Sequence, residues 1–205
     1  TSRFEAGSRP PADSEIERTL ESVDYRRVSV DKDVIVLEGS GMRVTLDGIA
    51  KGYIVDRTVR TLVEDGADRV LINAGGDMAS GGLGSLDNPW TVGIRDPSDS
   101  QGLLARLQLG GECIATSGDY MQAFTQDRRF HHIIDPRTGY SPNQASAVTV
   151  VTTSAMDADA LSTAVMVLGP TEGFQLMKNL DDTEGVIVTK EGRQMRTPGL
   201  DHFAL

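Results

Sequence analysis

Apolar residues recur every three or four positions in several segments of the chain, and this spacing predicts amphipathic helices. Ser154, followed three residues later by Asp157, can form a capping box at the start of one of them. Gly66 is placed to end an earlier helix, and Gly169-Pro170 should break a later one. Residues 1–12 are rich in Gly and Pro and should be irregular. Helices are predicted over residues 13–23, 49–65, 155–168 and 171–180.

Short runs of β-branched and aromatic residues, bounded by Gly, Pro, Asp or Ser, predict strands between these helices. Strands and helices mix without a regular βαβ alternation, and no internal repeat is found. The pattern therefore predicts an α+β fold, in one domain spanning residues 1–205. Strands are predicted over residues 25–30, 34–38, 42–46, 70–72, 90–94, 103–109, 130–134, 147–152, 186–189 and 194–196.

The amino-acid composition excludes several classes of function and of metal site. The 205 residues include 30 acidic and 20 basic side chains, a net charge of −10, which argues against a free-standing nucleic-acid binder. Cys113 is the only cysteine, so a disulfide scaffold and a cysteine-rich zinc site are excluded. With 3 histidines, a metal here should be a hard cation on oxygen ligands. No apolar run reaches the roughly 20 residues that a membrane helix requires.

Three loops combine glycine with an aspartate: residues 47–52, 73–77 and 116–119. Glycines let backbone N–H groups approach a phosphate or a planar ring closely. The alternative is that these glycines only end strands, as turn residues commonly do. The spacings of the P-loop and of the dinucleotide fingerprint are absent from all three.

Two further groups of side chains could carry chemistry. Asp159 and Thr163 lie four residues apart, so a helix would place both on one face, where they could bind Mg²⁺ or Ca²⁺ in part. Alternatively, Asp159 only complements the helix dipole. His131 and His132 lie on a predicted strand, whose alternation turns one of them inward. The other could orient or deprotonate a hydroxyl group, or could be a surface histidine.

Taken together, the segments resemble the ApbE family of FAD:protein FMN transferases. Six motifs occur in the family order between about Gly41 and Gly169. They are Gly48-Ile49-Ala50-Lys51-Gly52-Tyr53 with Val55-Asp56, Asn73-Ala74-Gly75-Gly76-Asp77, Trp90-Thr91-Val92-Gly93-Ile94 with Asp96-Pro97, Ile114-Ala115-Thr116-Ser117-Gly118-Asp119-Tyr120, His131-His132-Ile133-Ile134-Asp135-Pro136-Arg137-Thr138-Gly139, and Asp159-Ala160-Leu161-Ser162-Thr163-Ala164 with Val167-Leu168-Gly169.

The resemblance implies an α+β fold of the T-fold-like kind and a periplasmic or membrane-anchored setting. It also implies a reaction with FAD as substrate, in which Mg²⁺-dependent cleavage of the pyrophosphate transfers FMN to a Thr or Ser hydroxyl of a partner protein and releases AMP. Ca²⁺ is the alternative metal. Nucleic acid is not expected as a partner, but a second copy of the chain, in a homo-oligomer, is an expected one.

Site residues follow from the resemblance position by position. Asp159 and His132 match the catalytic positions, and His132 would face the reacting phosphate. The metal ligands would be the Gly48 carbonyl, Asp159, Ser162 and Thr163. The residues bordering FAD would be Thr45, Asp47, Lys51, Gly75, Gly76, Asp77, Ser117, Gly118 and Ile134.

The chain departs from the family pattern in two ways. The family usually carries Asp-Leu-Gly-Gly where this chain has Thr45-Leu46-Asp47-Gly48. Family proteins also carry a substantial N-terminal part before the matched region. Without that part, the flavin pocket would lack one wall and an apolar surface would be exposed. Two other functions are therefore kept open: an FAD pyrophosphatase that uses water as acceptor, and a flavin- or metal-binding module without turnover.

Overall fold

The computed structural model describes residues 11–99 and 101–205. Most of the segment predicted to be irregular, residues 1–10, lies outside the described residues. The described part contains four α-helices, and the last of them is interrupted at Gly169, where φ is 81°. The helices are α1 (Asp13–Leu20), α2 (Ala50–Glu64), α3 (Leu83–Asp87) and α4 (Ala155–Asn179).

Ten strands form three antiparallel sheets in the described part of the chain. The central sheet has six strands in the order β10-β9-β8-β7-β4-β3, and the pairs β1-β2 and β5-β6 form two smaller sheets. The prediction of an α+β fold is confirmed. The strands are β1 (Val28–Asp31), β2 (Val34–Leu37), β3 (Val70–Ala74), β4 (Asp77–Gly81), β5 (Trp90–Arg95), β6 (Leu103–Leu109), β7 (Cys113–Gly118), β8 (Ala145–Thr152), β9 (Glu184–Thr189) and β10 (Gln194–Arg196).

The central sheet is covered on both faces. On one face, α2 and α4 lie side by side, α2 over β3 and β4 and α4 over β7, β8 and β9. On the other face, Leu107 and Leu109 of β6 pack with Ile114 and Val151 of the central sheet. Since side chains alternate along a strand, β7 contributes Cys113 to the helical side and Ile114 to the opposite side.

The predicted start and break of α4 are confirmed, whereas the burial predicted for α2 is found at only some of its apolar residues. The Ser154 hydroxyl accepts a hydrogen bond from the Asp157 N–H at 3.2 Å, and α4 breaks at Gly169 as predicted. In α2, Val55 and Val59 are buried, whereas three other apolar residues of the segment predicted as this helix are exposed. These are Ile49, Leu62 and Val63.

Several strand predictions are wrong, because an extended segment becomes a strand only when a partner strand supplies hydrogen bonds. Residues 42–46 and 130–134 form no strand, and residues 25–27 form a 3₁₀ turn instead. The second segment has one isolated bridge, between Ala123 and His131. Conversely, α3 and β4 were not predicted, because Gly and Ser weaken their periodicity.

Large apolar side chains are exposed near the start of α2 and on the β1-β2 hairpin. Val30 is 72% exposed, Ile35 67%, Leu46 60% and Ile54 61%. Within the described residues, no helix has the length and apolar character needed to cross a membrane.

Candidate functional site

The N-terminal ends of α2 and α4 meet at one point on the helical side of the sheet. The backbone N–H of Gly52, in the first turn of α2, donates a 3.0 Å hydrogen bond to Oδ2 of Asp159 on α4. A Cβ atom at Gly52 would lie 2.2 Å from the carbonyl oxygen of Ala155. Only glycine therefore permits this approach, and it brings the carboxylate of Asp159 to the start of α2.

The helix face around Asp159 is polar and buried. Asp159 is 6% exposed and Ser162 1% exposed. Helical spacing alone would place the apolar residues Leu161, Ala164, Val165 and Leu168 in the core, but of these four only Val165 is buried.

Hydroxyl groups surround the same point. Oγ of Ser117, near the end of β7, lies 2.9 Å from Oγ of Ser162 and 3.0 Å from Oγ1 of Thr163. Gly48 is adjacent, since a Cβ atom there would lie 3.9 Å from Cγ2 of Thr163. The structure thus brings together the four residues expected to bind a metal, namely Gly48, Asp159, Ser162 and Thr163.

The donors assembled here fit a hard cation. The side chains that meet here offer only oxygen atoms, from a carboxylate and hydroxyl groups, and the Gly48 backbone lies next to them, so the set would suit Mg²⁺ or Ca²⁺ rather than a transition metal. Within residues 11–99 and 101–205, no group of three His, Cys, Asp or Glu side chains could hold an ion. A single carboxylate is consistent with Mg²⁺, which often takes its remaining ligands from water and phosphate.

A second carboxylate borders this point. Asp77, at the start of β4, is 1% exposed, and its Oδ2 lies 3.0 Å from Nζ of Lys51. Burial raises the pKa of Asp77 to about 6, Lys51 opposes that shift, and the charge of Asp159 adds to it. Lys51, Asp77 and Asp159 therefore act on one another electrostatically.

His132 and His131 face different environments. The burial of residues 131–135 alternates, so His131 is enclosed while the residue after it is exposed. Nε2 of His131 lies 3.0 Å from the Pro142 carbonyl oxygen. Partial burial, then the neighbouring His131 and Lys51, lower the pKa of His132 below its usual value, so this imidazole is neutral at pH 7. Of the two histidines, His131 is buried and His132 is open to solvent.

A cavity of about 370 Å³ opens beside the glycine-rich turn between β3 and β4. Gly75 and Gly76 form that turn with φ of 67° and 108°, which requires glycine at both positions. They line the cavity together with Thr116 and Tyr120. The cavity has the size expected of a site for part of a nucleotide-like ligand.

Other expected flavin contacts lie apart from this cavity. Ile134 lines a separate groove of about 220 Å³ with Phe124 and Phe130. Thr45 and Asp47 are exposed on the segment before α2, where the Asp47 N–H donates to the Thr45 hydroxyl at 3.3 Å. Within the described residues, no hydrogen bond joins these two side chains to the polar group around Asp159.

The sequence interpretation assigned no individual role to several residues near the site, although Asp119 and Tyr120 stand in the motifs it quoted. Arg95 and Tyr120 line the larger cavity. Asp119 is 1% exposed and pairs with Lys190, from the other end of the chain. Asp56 was recognised only as part of a motif, although its position four residues after Gly52 places it on the same helix face.

The fold and this site define a class of protein: an α+β domain in which a buried carboxylate and hydroxyl groups lie beside glycine-rich turns. The ApbE family model matches residues 2–187, and the chain belongs to that family. A relative from Klebsiella pneumoniae named FAD:protein FMN transferase is 38% identical, over 76% of this chain and 48% of its own length. One of the same name from Treponema pallidum is 30% identical, over 96% of this chain and 59% of its own length.

Solved structures show the same fold. The ApbE protein of Thermotoga maritima superposes with a TM-score of 0.87 at 31% identity, covering 97% of this chain and 65% of that one. The flavin transferase ApbE of Vibrio cholerae has a TM-score of 0.82 at 28% identity, covering 98% of this chain and 67% of that one. The chain spans about half the length of the first of the relatives it matches.

Proposed function

We propose that this chain transfers FMN from FAD to a Thr or Ser hydroxyl of a partner protein and releases AMP. The observation that carries this proposal is the meeting of the Asp159 carboxylate with Gly52 at the start of α2, beside the hydrogen-bonded hydroxyls of Ser117 and Thr163, in a fold shared with flavin transferases. The names of the relatives support FAD as the substrate and a protein as the acceptor.

The residues that would hold Mg²⁺ are Asp159, Thr163, Ser162 and the carbonyl of Gly48. A divalent cation there would supply positive charge that offsets the negative charge of a pyrophosphate. Burial of Asp159 on a rigid helix, with Gly52 as hydrogen-bond donor, orients its carboxylate toward the start of α2. Ser117 orients the hydroxyl of Thr163 by a hydrogen bond.

FAD would lie along the edge formed by the glycine-rich turns. The turn at Gly75 and Gly76 lines the cavity with bare backbone, where an approaching ring or phosphate meets no side chain; the Gly76 N–H donates to Oδ1 of Asn73 at 3.0 Å. Lys51 is 42% exposed at its side chain, so its ammonium group can contact both Asp77 and an incoming phosphate. Its role is to offset charge and position the phosphate.

His132 would act on the acceptor. The acceptor hydroxyl oxygen forms a bond to the phosphorus of the FMN half, and the bond from that phosphorus to the AMP phosphate oxygen breaks. The hydroxyl proton passes to the neutral imidazole of His132, which afterwards releases it to water. A lowered pKa keeps the imidazole unprotonated at pH 7, as a proton acceptor must be.

The test is to incubate the chain with FAD, Mg²⁺ and candidate acceptor proteins, and to follow AMP release and the mass of the acceptor. We expect a mass increase of one FMN, which disappears when EDTA removes the metal. Asp159→Ala should abolish both signals, whereas Asp157→Ala, an exposed residue in the same helical turn, should leave them unchanged.

The other outcomes separate the competing functions. Free FMN and AMP without any change in acceptor mass would mean that water is the acceptor and that the chain is a pyrophosphatase. FAD binding without AMP release would indicate a binding module. Full activity of Asp159→Ala would remove that residue from the proposed metal site.

A further inference from the structure

Asp56 of α2 holds the first turn of α4. Its Oδ1 accepts a 2.8 Å hydrogen bond from the Ala155 N–H, and its Oδ2 accepts bonds of 3.0 Å from the Met156 N–H and from the Ser154 hydroxyl. The first N–H groups of a helix have no partner within that helix, and a carboxylate is their strongest cap. Here that cap comes from a residue about 100 positions away.

The arrangement is reciprocal. Asp159 of α4 accepts the N–H of Gly52 in the first turn of α2, while Asp56 of α2 accepts the first N–H groups of α4. In each helix the residue at the contact and the carboxylate lie four positions apart: Gly52 and Asp56, and Ala155 and Asp159. These two reciprocal caps fix the position of each helix along the axis of the other. Close packing at Gly52 alone would not fix that position.

We infer that Asp56 is a positioning residue for the cation site and acts through the register of α2 against α4. The inference rests on the proposed metal site, whose ligands are divided between these elements: Gly48 precedes α2, whereas Asp159 and Thr163 belong to α4. A shift of one helix along the other separates the Gly48 carbonyl from the Asp159 carboxylate. Both oxygens of Asp56 already accept hydrogen bonds, so its effect on the metal is through position.

The matched pair of variants is Asp56→Asn and Val59→Ala. The amide of Asp56→Asn keeps one acceptor oxygen, but its NH₂ group faces donors, so the cap of α4 is broken. Val59 lies one turn further along the same helix and packs in the same core as Ala155, so truncating it loosens the interface without touching the cap. Both variants should lower the melting temperature.

Calorimetric titration with Mg²⁺ distinguishes a positioning role from a merely structural one. We expect Asp56→Asn to weaken Mg²⁺ binding about tenfold or more, because charge-assisted hydrogen bonds are lost, whereas Val59→Ala should change it less than about twofold. An unchanged affinity in Asp56→Asn would overturn the inference. The inference would also be overturned if both variants lost the same Mg²⁺ affinity together with the same drop in melting temperature.

A second readout needs no metal. Hydrogen exchange of the Gly52 amide reports its bond to Asp159, and in metal-free protein we expect about tenfold faster exchange in Asp56→Asn but not in Val59→Ala. Equal exchange in both would refute the coupling between the caps. A wild-type chain that binds no Mg²⁺, with the exchange result as expected, would refute the proposed metal site and the positioning role, while leaving the helix coupling established.

Should Asp56→Asn not fold, Ser154→Ala takes its place, because it removes one of the four donors to Asp56 and leaves the carboxylate intact. It also removes the acceptor of the Asp157 N–H. We expect about a threefold loss of Mg²⁺ affinity in that variant, from one hydrogen bond to a charged group. A Mg²⁺ affinity of Ser154→Ala equal to that of the wild type would overturn the inference, as an unchanged affinity of Asp56→Asn would.

Discussion

Asp77 should lower the stability of the protein at neutral pH, and replacing it by asparagine should raise that stability. The carboxylate is 1% exposed, and its ion pair with Lys51 only partly offsets the loss of hydration, since its pKa is raised from 3.8 to about 6. Asparagine keeps the shape and removes the charge. A buried charge that lowers the free energy of unfolding is expected at a functional site, because such a residue is kept for its function and not for stability.

The magnitude follows from the raised pKa. Each pKa unit corresponds to about 1.4 kcal/mol, so the shift is equivalent to roughly 3 kcal/mol, and water reaching the partly exposed Lys51 reduces this to about 1–3 kcal/mol. The sign follows from linkage: the folded state holds the proton more tightly than the unfolded state. The cost is therefore absent below pH 3.8, grows between pH 3.8 and about 6, and is complete above that.

Urea unfolding of the wild type and of Asp77→Asn between about pH 4 and pH 8, without added metal, measures this difference. We expect Asp77→Asn to be more stable at pH 7 and equal to the wild type near pH 4. Asp65→Asn, at the exposed end of α2, is the control and should show a small difference at both values. A less stable Asp77→Asn at pH 7 would refute the reasoning, because the pair with Lys51 would then outweigh the burial of the charge.

Three further predictions concern the site and its supports. His132→Ala should lose FMN transfer, while His131→Ala, although less stable, should keep it when folded. The reverse ranking in a transfer assay would show that His131, and not His132, faces the reacting phosphate. Gly52→Ala should lose about 1–3 kcal/mol of stability and bind Mg²⁺ more weakly, since its Cβ would lie 2.2 Å from a backbone oxygen of α4; wild-type melting and affinity would contradict this. Lys190→Met should cost about 1–3 kcal/mol in urea unfolding, because buried Asp119 loses its lysine and keeps only Arg128, whose Nη1 lies 3.8 Å from Oδ1 of Asp119, and adding Asp119→Asn should restore most of it; a single variant as stable as the wild type would contradict that.

Elements with strong local signals were predictable from the sequence. The helix α4 has a hydroxyl cap at Ser154 and a break at Gly169, and both depend on neighbouring residues alone. The strands β5 and β6 have clear runs of apolar residues joined by a short turn. The spacing of Asp159 and Thr163 also requires nothing beyond the helix itself.

Predictions failed where the outcome depended on partners distant in the chain. Residues 42–46 alternate as a strand does, yet in the structure they form none. Residues 130–134 keep the predicted alternation of side chains, with His131 buried and His132 exposed, but they have only the bridge at His131. An extended backbone becomes a strand only through hydrogen bonds that a distant segment supplies.

The sequence by itself determined the residue types at the candidate site and their spacing within each element, because helical and strand periods are local properties of the backbone. Only the tertiary structure decided which elements meet. The bond from Gly52 to Asp159 spans 107 positions, and the cap that Asp56 places on Met156 spans 100. Pairs so far apart depend on how the helices pack on the sheet, since packing and burial of charge are properties of the whole fold.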